Sequence, residues 1–328
     1  MRALLIVNPN ATSTTPAARD LVAHALESQV KLTVAHTTHR GHAAELSHQA
    51  AAEGIDLIVV HGGDGTVNEA INGFLRRPDF ALSEHAPMGL APQIGVLPGG
   101  SANVFARSLG IAADPVVATN QLIDLLSANV RRRIGLGYAD NRWFTFNAGM
   151  GLDAQVCEAI DSKRSDGLTA TPSRYVRTAV RAFFRTKRND PRLTVETSGS
   201  ADATDGATTV DGIHYAFVSN SSPWTYFNDR AVHTNPGTSF DAGLGVFAMA
   251  STSLFTTLRV SRQLLAQGAE PKSRKLFRDD DLQQVRIRAT HPIELQMDGD
   301  YIGLRDDVVF RSVPAALEVV APAVVKDS

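Results

Sequence analysis

The chain has 328 residues, which is longer than one typical domain, so we expect two domains. A formal net charge of -2 excludes a general nucleic-acid binder, and a single cysteine, Cys157, excludes an internal disulfide framework. No apolar run reaches the roughly 18 residues that span a bilayer. We therefore expect a cytoplasmic protein whose membrane contact is peripheral, on the inner face of the membrane.

Strand-like and helix-like patterns alternate from the N-terminus to about residue 128. Such alternation predicts βαβ units and a parallel sheet, and ligands of such sheets bind outside the carboxyl ends of the strands. The loops after the strands are therefore the candidate ligand loops. Strands are predicted at residues 3–7, 30–36, 55–60 and 94–97, and helices at 16–29, 43–53, 66–75 and 115–126.

The stretch 61–69 places a glycine-rich turn between a predicted strand and a predicted helix. Gly62, Gly63 and Gly65 leave the backbone free to approach a ligand, and the N–H groups of the following helix point into the same space. Such a turn is a phosphate cradle. Asp64 adds a carboxylate that either binds a bridging metal or accepts a proton from an attacking hydroxyl. The alternative is a plain glycine turn in which Asp64 caps the helix.

A second glycine turn follows the fourth predicted strand. The run Pro98-Gly99-Gly100-Ser101-Ala102-Asn103 opens another helix. Ser101 and Asn103 can hydrogen-bond phosphate or ribose without adding charge. Two such turns at one edge of a sheet predict a phosphate site with two walls.

Beyond residue 129 the pattern changes to short strand-like segments separated by turns. This pattern predicts a mainly antiparallel second domain, residues 129–328, whose extreme C-terminus is expected to pack back on the first domain. Strands are predicted at 131–138, 143–147, 193–197, 213–219, 245–250, 285–289, 293–297 and 308–311, and helices at 154–161, 173–186 and 253–265.

The predicted helix at 173–186 and its continuation carry Arg177, Arg181, Arg185 and Arg188 at helical spacing. Valine and phenylalanine side chains form an adjacent stripe. A basic amphipathic helix of this kind lies on anionic membrane surfaces. The alternative is a helix whose apolar stripe packs on its own domain while the arginines stay in water.

Taken together, the motifs resemble the bacterial diacylglycerol kinase family, which shares its catalytic domain with sphingosine and ceramide kinases. The Gly-Gly-Asp-Gly loop is not specific by itself, because NAD kinases and phosphofructokinases carry a similar one. The stretch 98–107 beside it makes the combination specific. The resemblance runs from residue 4 to about residue 301, and its matching stretches are 8–9, 37–43, 62–69, 98–107, 146–154 and 297–300.

The resemblance implies an α/β fold with two parts. An N-terminal Rossmann-like parallel-sheet domain, residues 1–128, would bind ATP, and a C-terminal, mainly antiparallel, sandwich-like β-rich domain would bind the lipid. The implied activity is transfer of a phosphoryl group from ATP, with Mg²⁺, to a lipid hydroxyl, with diacylglycerol as the expected acceptor. No Gly-x-x-x-x-Gly-Lys loop is present, so this would be a kinase without a P-loop.

The resemblance also implies a set of site residues. Asp64 and Asp300 are the two candidates for activating the lipid hydroxyl, and which of them is the base stays open. No set of side chains is assigned as a metal site of the protein's own, and a homodimer is left open. The nucleotide is expected at Asn8, Pro9, Asn10, Ala11, Thr12, Thr37, Gly62, Gly63, Asp64, Gly65, Thr66, Val67, Asn68, Gly100, Ser101 and Asn103.

The sequence departs from the family pattern at four positions. Ser101 replaces a threonine and keeps the hydroxyl, whereas Val104 replaces an aspartate. Asp300 replaces a glutamate in the turn where the family is thought to place its general base, and Ala242 replaces an aspartate in a turn where some relatives bind a structural Mg²⁺. These departures leave two alternatives open: a kinase of another acceptor (a sphingoid base, phosphatidylglycerol or NAD), or a regulator that binds nucleotide or lipid without catalysis.

Overall fold

The computed structural model describes residues 1–11, 16–80, 91–151, 192–199, 207–227, 230–251, 253–264, 266 and 271–323. The chain divides into two units. Unit 1 comprises Met1–Ile134 and Ala315–Ser328, and unit 2 comprises Gly135–Pro314.

Unit 1 alternates strands and helices, as the apolar periodicity predicts. Its helices and strands are β1 (Arg2–Val7), α1 (Pro16–Glu27), β2 (Lys31–His36), α2 (His42–Ala52), β3 (Leu57–Gly62), α3 (Asp64–Phe74), β4 (Gln93–Pro98), α4 (Val104–Ser108) and α5 (Pro115–Ser127).

The strands of unit 1 form a parallel sheet in the order β4-β3-β1-β2. The end of the last strand of the chain adds in parallel at the β4 edge, where Val319 pairs with Ile94. Because β1 lies between β2 and β3, the strand order reverses there, and the crevice between the carboxyl ends of β1 and β3 is the topological switch point of the sheet. The predicted α/β class with a parallel sheet is confirmed.

The core of unit 1 lies on the faces of β3, all of whose residues are buried. A continuous apolar run is typical of a strand that is covered on both faces. Helices α2 and α3 cross with backbone contact, because a Cβ at Gly73 would overlap the carbonyl of Ala44. The close crossing fixes the direction in which α3 leaves β3.

Unit 2 is built mainly from strands. They are β5 (Arg132–Ala139), β6 (Arg142–Phe144), β7 (Asn147–Met150), β8 (Leu193–Ser198), β9 (Thr208–Ile213), β10 (Tyr215–Ser219), β11 (Thr225–Phe227), β12 (Arg230–Val232), β13 (Leu244–Met249), β14 (Leu276–Leu282), β15 (Gln284–Met297) and β16 (Asp300–Val319), with helix α6 (Leu254–Leu264) before β14.

The main sheet of unit 2 is antiparallel, in the order β14-β13-β10-β7-β15-β16. Alternate residues of its strands point into a buried cluster that includes Val246, Leu295 and Phe310. The predicted antiparallel β-rich region is therefore confirmed. The two strands predicted at 285–289 and 293–297 are one strand, β15, with a register shift against β16 between Arg288 and Ile293.

Several predictions fall on residues outside the described ranges. These are the helices at 154–161 and 173–186 with Arg177, Arg181, Arg185 and Arg188, and the loop residue Thr12. In the described part of the chain, every helix is too short or too polar to cross a bilayer.

Candidate active site

The glycine-rich turn of unit 1 is tighter than the sequence predicts. Strand β3 continues to Gly62, because Gly62 still pairs with Pro98 of β4, and α3 begins at Asp64. Gly63 alone separates them and is the N-cap residue of α3. The predicted strand end at residue 60 and helix start at residue 66 are therefore wrong, and Asp64 and Gly65 belong to the first helical turn.

The two glycine turns pack directly against each other. The Gly99 N–H donates to the Gly62 carbonyl at 2.9 Å. A Cβ at Gly100 would lie 2.7 Å from the Cα of Gly63, and one at Gly99 would lie 2.9 Å from the Cα of Gly62. Real Cβ atoms do not approach backbone this closely, so the absence of side chains is what lets the turns meet. The two predicted walls of the phosphate site are thus adjacent.

Asp64 joins the two turns through its side chain. One carboxylate oxygen accepts from the Val104 N–H and the other from the Phe105 N–H, each at 3.0 Å. These are the first two N–H groups of α4, which otherwise lack partners within the helix. Asp64 does cap a helix, but the helix is α4 and not the one in which Asp64 stands.

Asn103 closes the second turn on itself. Its side-chain oxygen accepts from the Gly100 N–H and its amide donates to the Gly100 carbonyl, both at 2.8 Å. Its backbone is left-handed, with φ 48°, a conformation that asparagine tolerates better than most residues. Asn103 therefore fixes the shape of the turn around Gly100.

Asn8 spans the switch point of the sheet. It follows β1, and its amide donates to the Thr66 hydroxyl of α3 at 3.0 Å. Its side-chain oxygen accepts from the Asn10 N–H at 3.0 Å, which holds the turn after β1. The loops after β1 and β3 are thereby tied together at the place where ligands of doubly wound sheets bind.

The predicted nucleotide residues differ in exposure. Val67 and Asn68 have 1% and 0% of their surface exposed, so their side chains lie in the interior of unit 1. Thr37, Thr66 and Asn103 are also buried, at 7–8% exposure. The predicted residues with accessible surface are Asn8, Pro9, Asn10, Ala11, Gly63, Asp64, Gly65, Gly100 and Ser101.

In unit 2, the acidic turn is a two-residue hairpin between β15 and β16. Asp298 and Gly299 have φ values of 50° and 82°, and Met297 pairs with Asp300. Positive φ at both central residues is the requirement of a type I′ turn, for which Asp-Gly is a favoured sequence. The turn thus places Asp298 at its tip and Asp300 at the start of β16.

Asp298 is an internal anchor. It has 5% of its surface exposed, and its carboxylate accepts four hydrogen bonds of 2.6–3.1 Å: from the N–H and hydroxyl of Thr145 and from the N–H groups of Phe146 and Asn147. Burial raises the pKa of Asp298, and the donated hydrogen bonds oppose the rise. The contacts join the turn to the stretch at 145–147.

Asp300 has a different environment, in which its carboxylate meets a guanidinium. Arg142 Nη2 lies 2.7 Å from Asp300 Oδ2, and the two side chains are 27% and 15% exposed. Arg142 stands on β6, just after the Asp140-Asn141 turn, and Asp140 in turn binds Arg305 of β16 at 2.7 Å. In one ion pair the arginine comes from β6, and in the other it comes from β16. Together they hold the β5–β6 turn on β16. Arg142 carries no local sequence signal for this role, because its partner lies 158 residues away.

Two departures from the family pattern are explained by the structure. Val104 has 1% of its surface exposed, so position 104 holds an apolar side chain in the interior of unit 1. Gly243, beside Ala242, donates its N–H to Asp281 at 2.7 Å, which holds that turn by a direct hydrogen bond. Within the described ranges, no group of three or more His, Cys, Asp or Glu side chains is arranged to hold a metal ion.

The strand order and the glycine turns define the class of unit 1: a doubly wound α/β domain with its ligand loops at the switch point. Residues 2–132 match the diacylglycerol kinase catalytic domain family. The match covers the sheet, both glycine turns and α5. This part of the chain is therefore similar to the diacylglycerol kinase catalytic domain.

Curated relatives are similar over a stretch of comparable length. The chain is 34% identical to a diacylglycerol kinase of Bacillus subtilis over 127 residues, which cover 39% of this chain and 37% of the relative. It is 32% identical to a diacylglycerol kinase of Staphylococcus aureus over 40% of this chain and 37% of the relative. A Chromohalobacter salexigens protein named "Probable lipid kinase YegS-like" is 32% identical over 43% of this chain and 41% of its own. The matches thus span less than half the length of these relatives.

Solved structures share the fold over nearly the whole chain. The crystal structure of a diacylglycerol kinase from Bacillus anthracis str. Sterne has a TM-score of 0.68 at 17% identity, covering 98% of this chain and 97% of that chain. A second structure from the same organism has a TM-score of 0.73 at 20% identity and the same coverage. At these identities the likeness establishes the fold alone.

Proposed function

We propose that the protein is an ATP- and Mg²⁺-dependent lipid kinase that phosphorylates a lipid hydroxyl, with diacylglycerol as the acceptor and phosphatidic acid as the product. The observation that carries the proposal is the contact between two glycine turns at the carboxyl ends of β3 and β4, beside the switch point of the parallel sheet. Similarity to diacylglycerol kinases over residues 2–132 supports it.

The residues of unit 1 fit a nucleotide. Helix α3 begins at Asp64, and Gly63 and Gly65 on either side keep accessible surface, so the N-terminal N–H groups of α3 can bind phosphate oxygens. ATP supplies the transferable phosphoryl group, and Mg²⁺ is usually held by phosphates together with one or two carboxylates. Asp64 is the carboxylate at these turns, which fits that mode of binding better than a metal cage built by the protein alone.

We assign the two candidate carboxylates different roles. Asp64 accepts two backbone hydrogen bonds, and these hold its carboxylate between the glycine turns, so it positions the nucleotide turns. The Asp300 side chain is 15% exposed, whereas Asp298 beside it is buried. Asp300 acts as the general base. It accepts the proton of the lipid hydroxyl as that oxygen attacks the γ-phosphorus, and the bond to the β-phosphate oxygen breaks to leave ADP. Phosphoryl transfer of this kind depends on positioning and charge stabilisation more than on covalent chemistry by the protein.

The test is phosphorylation of diacylglycerol by Asp300→Asn with labelled ATP. We expect kcat to fall on the order of 10²-fold or more, because a positioned base contributes about that much. Asp307→Asn is the matched control. Asp307 stands on the same strand and is also paired with an arginine, Arg286, but it is exposed. Its variant should keep wild-type turnover.

Near-wild-type turnover by Asp300→Asn would show that another residue is the general base. Absence of any labelled lipid product from the wild-type protein, in the presence of ATP binding, would contradict the kinase proposal and favour a nucleotide-binding regulator. The identity of the product, after incubation with a total lipid extract, separates diacylglycerol from the other acceptors. One relative, from Chromohalobacter salexigens, is named a probable lipid kinase without a stated acceptor. The acceptor therefore has to be identified by this experiment.

A further inference from the structure

Helix α6 of unit 2 has one face buried and the opposite face exposed. Val260 has 3% of its surface exposed and packs with Tyr215, Phe217, Phe247 and Met249 of the underlying strands. Leu264, one turn further along the same side, packs on the same cluster. The contacts with this cluster fix which side of α6 faces away from the sheet.

That outer side carries an exposed aromatic ring among arginines. Phe255 has 78% of its surface exposed, the highest value among the large apolar side chains of the described residues. Arg259 and Arg262 are exposed as well. Spacings of four and three residues put all three side chains on one face of a helix. Moving an exposed phenylalanine ring from water into an apolar phase is favourable.

Further cations lie next to α6 at the start of the following strand. The Lys272 N–H donates to the Gln263 side chain of α6 at 2.9 Å, so this segment is attached to the end of the helix. Lys272, Arg274 and Lys275 are exposed. Residues 253–264 and 271–275 contain five cations and no carboxylate. We call Phe255, Arg259, Arg262, Lys272, Arg274 and Lys275 the α6 surface.

We propose that the α6 surface docks the protein on a bilayer that contains anionic phospholipids. Arginines and lysines are attracted to the negative headgroup layer, and Phe255 inserts at the boundary with the acyl chains. The exposed ring favours a bilayer over a nucleic acid, which offers phosphates but no such boundary. The assignment rests on the proposed function, because an enzyme that phosphorylates a membrane lipid has to reach it at the bilayer surface.

The experiment is co-sedimentation of the full chain with vesicles of phosphatidylcholine alone and with vesicles in which phosphatidylglycerol replaces part of it. We expect binding to the anionic vesicles and its loss at high salt, because salt screens exposed charges. Arg259→Glu combined with Arg262→Glu should weaken the binding by about tenfold or more, since each cation near the surface contributes substantially. Phe255→Ala should weaken it by on the order of tenfold.

Two control variants match these changes elsewhere. Leu304→Ala removes another exposed apolar side chain of unit 2, which is 52% exposed. Arg76→Glu combined with Arg77→Glu makes the same change in net charge at two exposed arginines of unit 1. Both controls should bind vesicles as the wild type does. An equal loss of vesicle binding in the charge control would mean that overall charge drives binding. It would overturn the assignment of the α6 surface as the docking site.

Turnover of a water-dispersed short-chain diacylglycerol separates this inference from the proposed function. Variants of the α6 surface should keep that turnover while losing activity on vesicle-borne substrate. If they keep both activities, or if the wild type ignores anionic vesicles, the docking surface is wrong and the kinase stands. Self-association that depends on Phe255 would instead identify a second copy as the occupant. If the wild type phosphorylates neither form of substrate, the proposed function fails, whatever the vesicles show.

Discussion

At Asp64, both carboxylate oxygens accept backbone hydrogen bonds from α4, whereas at Asp298 they accept four hydrogen bonds from residues 145–147. Asp300, two residues after Asp298, instead pairs with the guanidinium of Arg142. The same side chain is thus a cap, a buried anchor and an ion-pair partner at three positions. The surroundings, and not the residue type, distinguish the carboxylate that we assign as a base.

Removing the Asp64 side chain tests whether its role is positional. Asp64→Ala should lower the free energy of unfolding by about 1–2 kcal/mol, the usual cost of losing a helix cap. It should also lower kcat/KM for ATP on the order of 10²-fold, because misplaced binding groups cost about that much. Urea titration and steady-state kinetics measure the two effects.

Asp114→Ala is the control for this prediction. Asp114 caps α5 of the same unit, accepting from the N–H groups of Val116 and Val117 at 2.9 and 3.0 Å. It should destabilise the protein by a similar amount and leave kcat/KM unchanged. If both variants lose activity in proportion to their stability, Asp64 has no role in the site beyond the fold.

At the scale of the element, the two glycine turns act as one unit. Their contact depends on backbones so close at Gly63 and Gly100 that a Cβ on Gly100 would lie 2.7 Å from the Cα of Gly63. The Asn103 side chain and the Asp64 carboxylate then hold the second turn from opposite ends. A substitution within the contact should therefore disturb both turns, although only one is changed.

Gly100→Ala tests this contact. Its Cβ would lie 2.7 Å from Gly63 Cα, so backbone has to move, and we expect a destabilisation of about 1–3 kcal/mol with loss of ATP binding. Gly65→Ala is the control, because a Cβ there meets nothing within 4 Å. Since Gly65 stands in a helix, alanine should stabilise by about 0.5–1 kcal/mol. Calorimetric melting of both variants would show the opposite signs, and equal melting temperatures would contradict the packing argument.

At the scale of the whole molecule, the unfolding of unit 2 can be followed by itself, because both tryptophans, Trp143 and Trp224, stand in unit 2. Tryptophan fluorescence therefore reports the unfolding of unit 2. Within it, His233 is half-buried and contacts the Ser222 hydroxyl at 2.8 Å through Nδ1. Burial lowers the pKa of His233 below its usual value, so the folded unit binds that proton less readily than the unfolded chain.

The sign of the resulting pH dependence follows from proton linkage. Above about pH 6.5 both states are neutral at His233 and its contribution to stability is complete; below that pH the unfolded chain takes up the proton first, and stability falls. Urea midpoints of unit 2 should decline from pH 7 towards the lowered pKa, and His233→Gln should flatten the decline. His291→Gln, at an exposed position, should not flatten it. An unchanged slope in His233→Gln would remove this residue as the cause.

Most of the fold is predictable from the sequence because its signals are local. Apolar periodicity marks β1 to β4 and the helices between them, and Asp298-Gly299 carries the chemistry of its own hairpin turn. The predicted end of β3 and the predicted start of α3 are wrong because Gly62 has no side-chain signal for a strand. Its pairing with Pro98 of a neighbouring strand, which requires backbone only, is what extends β3.

The α/β class, the glycine turns at the ends of two parallel strands and the acidic residues that accompany them follow from the sequence alone. Packing adds that Asp64 caps α4, that Asp298 is buried, that Arg142 meets Asp300 and that Phe255 faces water beside two arginines. Each of these depends on residues far apart in the chain, or on which face of a helix the sheet covers. Local sequence fixes an element and its two faces, whereas packing alone fixes which face meets which partner.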